Sequence, residues 1–191
     1  MRCLSCYRLS FSTFCHNCQI NILKPSISKR ELENIDVYSF FKYQDIEELL
    51  LSKHTIQGYR VYKALSKMTF TPFIKSFISN LDSPVYIIGI DEVIKNGYSH
   101  IALLTHQMKA KNVYILHSKL IASNKVKYAG ESLHFRLSNP RNFKYSGISN
   151  IEAILVDDII TTGTTLKEAQ KVLRENGVEV LFALTLADAK A

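Results

Sequence analysis

The sequence predicts an α/β protein in which helices flank a parallel β-sheet, preceded by a small cysteine-rich module at the N-terminus. Three observations lead to this prediction. Short apolar segments typical of strands alternate with amphipathic segments of helical spacing. A strand–turn–helix unit with two adjacent aspartates lies near the C-terminus, and all four cysteines fall within the first 18 residues. We expect the cysteine module to span residues 1–24 and the α/β domain residues 36–191.

The predicted elements follow one another in the order of a sheet wound from βαβ units. Residues 22–34 are polar, contain Pro25 and are predicted to be a connection. Parallel strands need long crossovers, so the alternation of strands with helices indicates a mainly parallel sheet. Strands are predicted at residues 37–41, 85–90, 113–116, 151–156 and 178–186, and helices at residues 44–53, 59–68, 72–80, 99–109 and 166–176.

The cysteines form two Cys-x-x-Cys pairs separated by eight residues. Each pair can place two thiolates about 3.5–4 Å apart, the spacing that tetrahedral zinc with Zn–S bonds of ~2.3 Å requires. A disulfide framework is the alternative, but a reducing compartment would not retain it. A module of this size cannot build a hydrophobic core alone, which also favours a structural metal. We therefore expect a structural Zn²⁺ bound by Cys3, Cys6, Cys15 and Cys18.

Composition and the N-terminal sequence indicate a globular protein of the cytoplasm. Of 191 residues, 47% are hydrophobic and 21% are charged, an ordinary globular balance. The most apolar stretch, residues 180–187, is too short to span a membrane, and the N-terminus lacks the apolar core of a signal peptide. We expect a cytoplasmic location and no membrane insertion.

Positive charge is concentrated in the middle of the chain. The formal net charge is +7, and residues 95–145 carry nine basic side chains and one acidic one. Such a field favours an anionic ligand, a phosphorylated metabolite or nucleic acid, although a solvated lysine-rich surface has the same composition. Interleaved aromatics, which could stack on the bases of a single strand, are Tyr128, Phe135, Phe143 and Tyr145. The candidate nucleic-acid contacts are Lys125, Lys127, Arg136, Arg141 and Lys144.

The most informative stretch runs from Ile154 to Thr165. A buried strand ends at two carboxylates, a hydroxyl-rich turn with one glycine follows, and a helix begins. Ligands of parallel α/β sheets bind at the carboxyl ends of strands, where helix N-termini point free N–H groups outward. This turn suits a phosphate monoester, and the two carboxylates suit neighbouring sugar hydroxyls. An ordinary turn with threonine caps is the alternative, but it would not require adjacent aspartates.

The same stretch resembles the signature of type I phosphoribosyltransferases, which bind 5-phosphoribosyl-1-pyrophosphate (PRPP). It reads Val156-Asp157-Asp158-Ile159-Ile160-Thr161-Thr162-Gly163-Thr164-Thr165. The resemblance implies that the turn holds the 5-phosphate, that the aspartates take the ribose 2- and 3-hydroxyls, and that Mg²⁺ bridges these hydroxyls and the pyrophosphate. The PRPP-binding residues it implies are Asp157, Asp158, Thr161, Thr162, Gly163, Thr164 and Thr165.

Together with the cysteine module, the chain resembles the ComF family of competence proteins, which join a four-cysteine zinc finger to this domain. Weaker similarities are the Lys53–Gly58 turn, residues 96–100 and the Arg136–Asn139 block. The resemblance implies a role in DNA uptake during natural transformation, with PRPP and single-stranded DNA as ligands. It also implies a helicase of the DNA-uptake machinery as a partner.

The loop expected to hold pyrophosphate departs from the family pattern. Gly89-Ile90-Asp91 stands where the family has Pro-Val-Pro, and the acids Asp91 and Glu92 argue against tight pyrophosphate binding. Backbone groups of Gly89 and Ile90 and the charge of Lys95 remain as candidates. Where purine-salvage enzymes have an aspartate as general base, this chain has Thr161, which cannot take up a proton near neutral pH. No catalytic residue is singled out.

Three functions follow from these patterns. The first is a competence-type protein that binds PRPP and single-stranded DNA. The second is a metabolic type I phosphoribosyltransferase, which would transfer ribosyl 5-phosphate from PRPP to a nucleobase. The third is a non-catalytic module for which PRPP or a nucleotide is only a ligand. We favour the first, because base salvage does not need a zinc module.

Overall fold

A computed structural model of the chain describes residues 1–79, 81, 83–92, 97–124 and 132–191, without the side chains of Leu133, Arg136 and Leu137. Within this part the α/β prediction is confirmed. The strands are β1 (Ser28–Leu32), β2 (Ile35–Lys42), β3 (Val85–Glu92), β4 (Val113–Ala122), β5 (Phe143–Tyr145), β6 (Ile151–Ile160) and β7 (Val178–Asp188). The helices are α1 (Tyr43–Leu51), α2 (Ile56–Met68), α3 (Phe70–Ile78), α4 (His100–His106), α5 (Leu133–Ser138) and α6 (Thr164–Glu175).

The strands form one sheet in the order β1-β2-β7-β6-β3-β4-β5. The five strands from β2 to β4 in this order run parallel, and the edge strands β1 and β5 are antiparallel to their neighbours. Because the parallel strands share one direction, the carboxyl ends of β6, β3 and β7 meet at one edge of the sheet. This is the edge at which ligands of such sheets bind.

Different helices cover the two faces of the sheet. Successive strand residues point to opposite faces. Ile87 and Ile154 pack with side chains of α1 to α4, whereas Ile88 and Leu155 pack with Leu166 and other residues of α6. No helix in the described ranges is long and apolar enough to cross a membrane.

The cysteine module packs against the helix-rich face of the α/β core. Cys3, Phe14 and Leu23 are buried in the same cluster as Phe40 of β2. A π-helical turn spans Cys18–Ile22, and the Ser26 N–H donates to the Phe40 carbonyl at 2.9 Å. The module is therefore continuous with the main core.

Several elements go beyond the sequence-based prediction: β4 runs six residues past it, β5 and α5 were not predicted, and β1 and β6 bear most on the site. Residues 28–32, predicted to be a connection, form edge strand β1, which buries only Leu32 and therefore lacks an apolar pattern. Strand β6 continues to Ile160 because β7 pairs with it as far as Asp188. Asp157 and Asp158 consequently lie within the strand rather than after it.

Candidate functional site

Asp158 lies near the carboxyl end of β6 and is surrounded by three donors from other elements. Lys53 Nζ lies 3.0 Å from Asp158 Oδ2, Tyr62 Oη donates to the same oxygen at 3.2 Å, and His100 Nε2 lies 3.4 Å from it. No described residue donates a hydrogen bond to Asp158 Oδ1. One carboxylate oxygen of a side chain that is only 10% exposed is thus held by three side chains of the protein.

The two aspartates differ in charge state. Burial alone would raise the pKa of Asp158, but attraction to Lys53 and the hydrogen bond from His100 outweigh burial and hold this pKa below its ordinary value. Burial raises the pKa of Asp157 to about 8, and repulsion from Asp158 adds to this rise. The Asp158 N–H donates to Asp157 Oδ1 at 2.8 Å. Asp158 therefore keeps its charge to a lower pH than an ordinary carboxyl, whereas Asp157 keeps its proton to a higher pH.

The turn after β6 has the geometry of an anion-binding loop. Gly163 has a φ of +82° and precedes the first residue of α6, so it has no side chain to cap the first N–H groups of the helix. A Cβ at Gly163 would lie 2.5 Å from Leu32 Cδ1. The hydroxyls of Thr162 and Thr164 are 2.9 Å apart. Backbone donors and hydroxyls thus lie together at the N-terminus of a twelve-residue helix.

The predicted pyrophosphate residues lie in a strand rather than in a loop. Gly89 pairs with Val156 of β6, and Ile90 is 3% exposed in the core. A Cβ at Gly89 would lie 2.5 Å from Ile101 Cγ2, so this glycine allows close packing of α4 on β3. Lys95 lies outside the described residues.

The two acids that argue against pyrophosphate binding each have a partner in the protein. Asp91 accepts from Ser99 Oγ at 2.7 Å and from the Ser118 N–H at 3.1 Å. Burial raises the pKa of Asp91. Glu92 forms an ion pair with Arg141. Asp91 therefore fastens the start of α4 to β4.

The candidate nucleic-acid contacts are only partly described. Lys125, Lys127 and the side chain of Arg136 lie outside the described part of the chain. Arg141 is mostly buried in its pair with Glu92, whereas Lys144 is exposed on β5.

Among the aromatics, Tyr128 lies outside the described residues and Phe143 is 6% exposed in the core. The interpretation of Phe143 as a stacking platform is therefore wrong, because it packs with Leu120 and Ala122.

Three residues of the site, Lys53, Tyr62 and His100, were not predicted from the sequence. Lys53 is the middle residue of a 3₁₀ helix, Ser52–His54, that follows α1, and the other two lie on α2 and at the start of α4. The rings of Tyr62 and His100 pack edge to face, 5.5 Å apart. The similarities of the Lys53–Gly58 turn and of residues 96–100 to the ComF pattern were signals for Lys53 and His100. Tyr62 had no such signal, since it has the spacing of a core residue.

The four cysteines are gathered at one point. Their Sγ atoms all lie within 4.8 Å of one another, and Cys6 and Cys15 have an Sγ–Sγ distance of 3.7 Å. Ligands at ~2.3 Å in a tetrahedron are about 3.8 Å apart, so this arrangement fits zinc. The Cys15 N–H donates to Cys3 Sγ at 3.2 Å, and none of the four forms a disulfide. The cluster could hold a metal ion such as zinc.

No protein-family model matches the sequence, and no curated protein sequence matches it. The solved structures to which the chain is similar include several phosphoribosyltransferases. The hypoxanthine enzyme of Staphylococcus aureus is 21% identical with a TM-score of 0.42, over 66% of this chain and 62% of that chain. This chain thus spans less than two thirds of that enzyme's length.

Two further neighbours cover more of the chain at lower identity. An adenine phosphoribosyltransferase of Saccharomyces cerevisiae is 13% identical with a TM-score of 0.43, over 85% of this chain and 83% of that one. The orotate phosphoribosyltransferase of Mycobacterium tuberculosis is 13% identical with a TM-score of 0.41, over 87% and 79%. At these values the likeness does not assign a function.

Proposed function

We propose that this protein binds PRPP with Mg²⁺ at the carboxyl end of β6 and handles single-stranded DNA during DNA uptake. One observation carries the PRPP part of the proposal. A charged carboxylate, Asp158, lies on the strand that leads into a helix N-terminus whose N-cap residue, Gly163, is in the left-handed region and offers no side-chain cap. The Thr164 N–H there has only a long bond, 3.4 Å, to the Thr162 hydroxyl. A sugar phosphate needs this pair of features, with acceptors for hydroxyls on one side and donors for a phosphate on the other.

The ribose hydroxyls and the 5-phosphate each have candidate partners among the described residues. Asp158 Oδ1 and Asp157 would accept from the ribose hydroxyls, and Lys53 keeps Asp158 charged for this purpose. Backbone N–H groups of residues 162–165 and the threonine hydroxyls would donate to the 5-phosphate. Mg²⁺, when bound with PRPP, would offset the charge of the pyrophosphate. Its ligands would come mainly from PRPP and water, as is usual for this ion.

The cysteine module has a structural role in this proposal. Four thiolates around Zn²⁺ leave no open coordination position, so the ion would not take part in a reaction. Bound zinc would hold residues 1–24 in shape and support the packing of Phe14 and Leu23 on the core. The residue ranges 1–24 and 36–191 are proposed on this basis as the module and the α/β domain.

The DNA part of the proposal rests on charge and on the resemblance to competence proteins. The basic residues between positions 95 and 145 follow β3 and precede β6, whose carboxyl end carries the aspartates. Lys144 is exposed and fits contact with a phosphate backbone. A partner helicase belongs to the proposal through the resemblance alone.

The metabolic alternative needs a group that exchanges a proton with the nucleobase. Thr161 does not supply one, although Asp157, with its raised pKa, lies nearby on β6. Release of pyrophosphate from PRPP with any common nucleobase would favour this alternative. No release with adenine, guanine, hypoxanthine, uracil or orotate would argue against it.

Calorimetric titration of the full chain with PRPP and Mg²⁺ tests the proposal. We expect saturable binding, a loss of at least about tenfold in Asp158→Asn, and no change in Asp45→Asn, which alters an exposed acid on α1. Absence of binding by the unaltered chain would overturn the PRPP part.

Oligo(dT) binding at two salt concentrations tests the DNA part, since affinity must fall with salt. Affinity that is absent or insensitive to salt would overturn the DNA part.

A further inference from the structure

Edge strand β1 is attached to the turn that follows β6. Arg30 Nη1 donates to the Thr161 carbonyl oxygen at 2.7 Å and lies 3.0 Å from Asp188 Oδ1. Arg30 and Asp188 are 19% and 5% exposed, so this contact is largely withdrawn from water. A hydrogen bond from a guanidinium to a carbonyl in such surroundings is among the stronger ones in proteins.

The rest of the β1–β2 hairpin reinforces this attachment. Leu32 fills the space next to Gly163 that a side chain would otherwise occupy. Glu33 forms an ion pair with Lys167 of α6, and Gln170 of the same helix donates to the Asn34 carbonyl at 3.0 Å. The hairpin thus contacts the turn and the first two turns of α6, although it is more than 120 residues away in sequence.

The bond from Arg30 fixes the direction of a backbone donor. In a trans peptide the carbonyl and the following N–H point in opposite directions. With the Thr161 carbonyl held toward Arg30, the Thr162 N–H must point away from Arg30. The chain has no cis peptide bonds in the described ranges, so this relation holds at the Thr161–Thr162 bond.

Arg30 also neutralises a buried acid near the turn. Asp188 is 4% exposed and accepts from Arg30 and from the Lys190 N–H. An unpaired carboxylate at this depth would repel a phosphate bound at the turn. The ion pair therefore removes a charge that would oppose phosphate binding.

We propose that Arg30 is a positioning residue for phosphate binding, which it supports by orienting the Thr161–Thr162 peptide and neutralising Asp188. This inference rests on the proposed function, because it assumes that the 5-phosphate binds at residues 161–165. Arg30 does not itself contact the phosphate in this account. It fixes a donor before the ligand arrives, so the ligand does not bear the entropic cost of ordering the turn.

The experiment compares two variants of Arg30 with a control variant of Lys29 that loses the same single positive charge as Arg30→Gln. Arg30→Gln removes the bond to Thr161, and the double variant Arg30→Gln/Asp188→Asn also removes the unpaired acid. Lys29→Gln is the control, because it removes a cation and an ion pair, with Asp36, from the same strand. Binding of ribose 5-phosphate is measured by calorimetry, thermal unfolding by circular dichroism, and amide exchange of residues 162–165 by NMR in the unliganded protein.

We expect Arg30→Gln to lose affinity for ribose 5-phosphate by about tenfold, while Lys29→Gln binds normally. The double variant lacks the repelling charge of Asp188, so it should regain melting temperature and part of the affinity, but it should still bind more weakly than the unaltered chain because the Thr161–Thr162 peptide is no longer held. A merely structural role would restore affinity together with stability. Amides 162–165 should exchange faster in both Arg30 variants.

Unchanged exchange and unchanged affinity in the double variant would overturn the role of Arg30. If the unaltered chain bound neither ribose 5-phosphate nor PRPP, the proposed function would be overturned instead. In that case the exchange rates still decide whether Arg30 orders the turn.

Discussion

Lys53 and Asp158 form an ion pair with an Nζ–Oδ2 distance of 3.0 Å, although 105 residues separate them. The pair joins the turn after α1 to the carboxyl end of β6. Tyr62 and His100 contact the same oxygen. This cluster keeps a buried carboxylate charged at the edge of the sheet where a ligand would bind, and three of the predictions below concern its surroundings.

Lys53→Met should destabilise the protein and weaken PRPP binding together. The substitution leaves Asp158 without its main cation, and a carboxylate that loses its partner in a mostly buried position costs roughly 1–3 kcal/mol. Lys53 is 32% exposed, which places the cost toward the lower end. Urea unfolding measures the loss, with Lys42→Met at an exposed position as the control. Recovery of stability, but not of binding, is expected in Lys53→Met/Asp158→Asn.

Asp157→Asn should stabilise the protein at alkaline pH. Burial raises the pKa of Asp157 from 3.8 to about 8. Between these values the folded state holds the proton that the unfolded state has lost, so this carboxyl makes stability fall as the pH rises. The gain in melting temperature from the amide should be largest above pH 8 and small near pH 4. A gain independent of pH, or equal to that of Asp45→Asn, would contradict the burial of this charge.

Gly163→Ala should destabilise the protein more than Gly97→Ala does. Both glycines have positive φ, +82° and +84°, so each substitution carries about 1–2 kcal/mol of backbone strain. A new Cβ at Gly163 would meet Leu32, whereas nothing lies within 4 Å at Gly97. We therefore expect a larger loss of stability and a selective loss of PRPP affinity in Gly163→Ala. Adding Leu32→Ala should relieve the clash but not the strain, and no relief would contradict the contact.

One zinc ion per chain should be found by elemental analysis, and its removal should unfold the cysteine module. Residues 1–24 contribute Phe14 and Leu23 to the core, so chelation should also lower the melting temperature of the whole chain. Cys6→Ser should lose the metal, whereas His16→Ala, at an exposed position inside the second Cys-x-x-Cys pair, should keep it. Loss of zinc in His16→Ala would contradict this prediction and indicate that the histidine is a ligand.

The parallel sheet and the strand–turn–helix unit could be predicted from the sequence because both have local patterns. The apolar run before Asp157 and the glycine before α6 are visible in a single stretch. Strand β1 could not be found in this way, since its polar residues are ordered by pairing with β2 and by Arg30 reaching Asp188.

Contacts between distant segments explain the remaining differences. Lys53 and His100 reach Asp158 only because α1, α2 and α4 pack on one face of the sheet. Phe143 stands among basic residues in the sequence, yet the pairing of β5 with β4 places it in the core. The spatial positions of these residues cannot be predicted from the pattern of residue types along the sequence.

The most direct test of the PRPP site is an NMR titration of ¹⁵N-labelled protein with PRPP and Mg²⁺. We expect saturable shifts of the amide resonances of residues 162–165, Gly163 included, with smaller shifts at Asp158. The same titration of Asp158→Asn should need at least about tenfold more ligand. Shifts confined to other parts of the chain, or no saturable shift at Gly163, would contradict the assignment of this turn as the phosphate site.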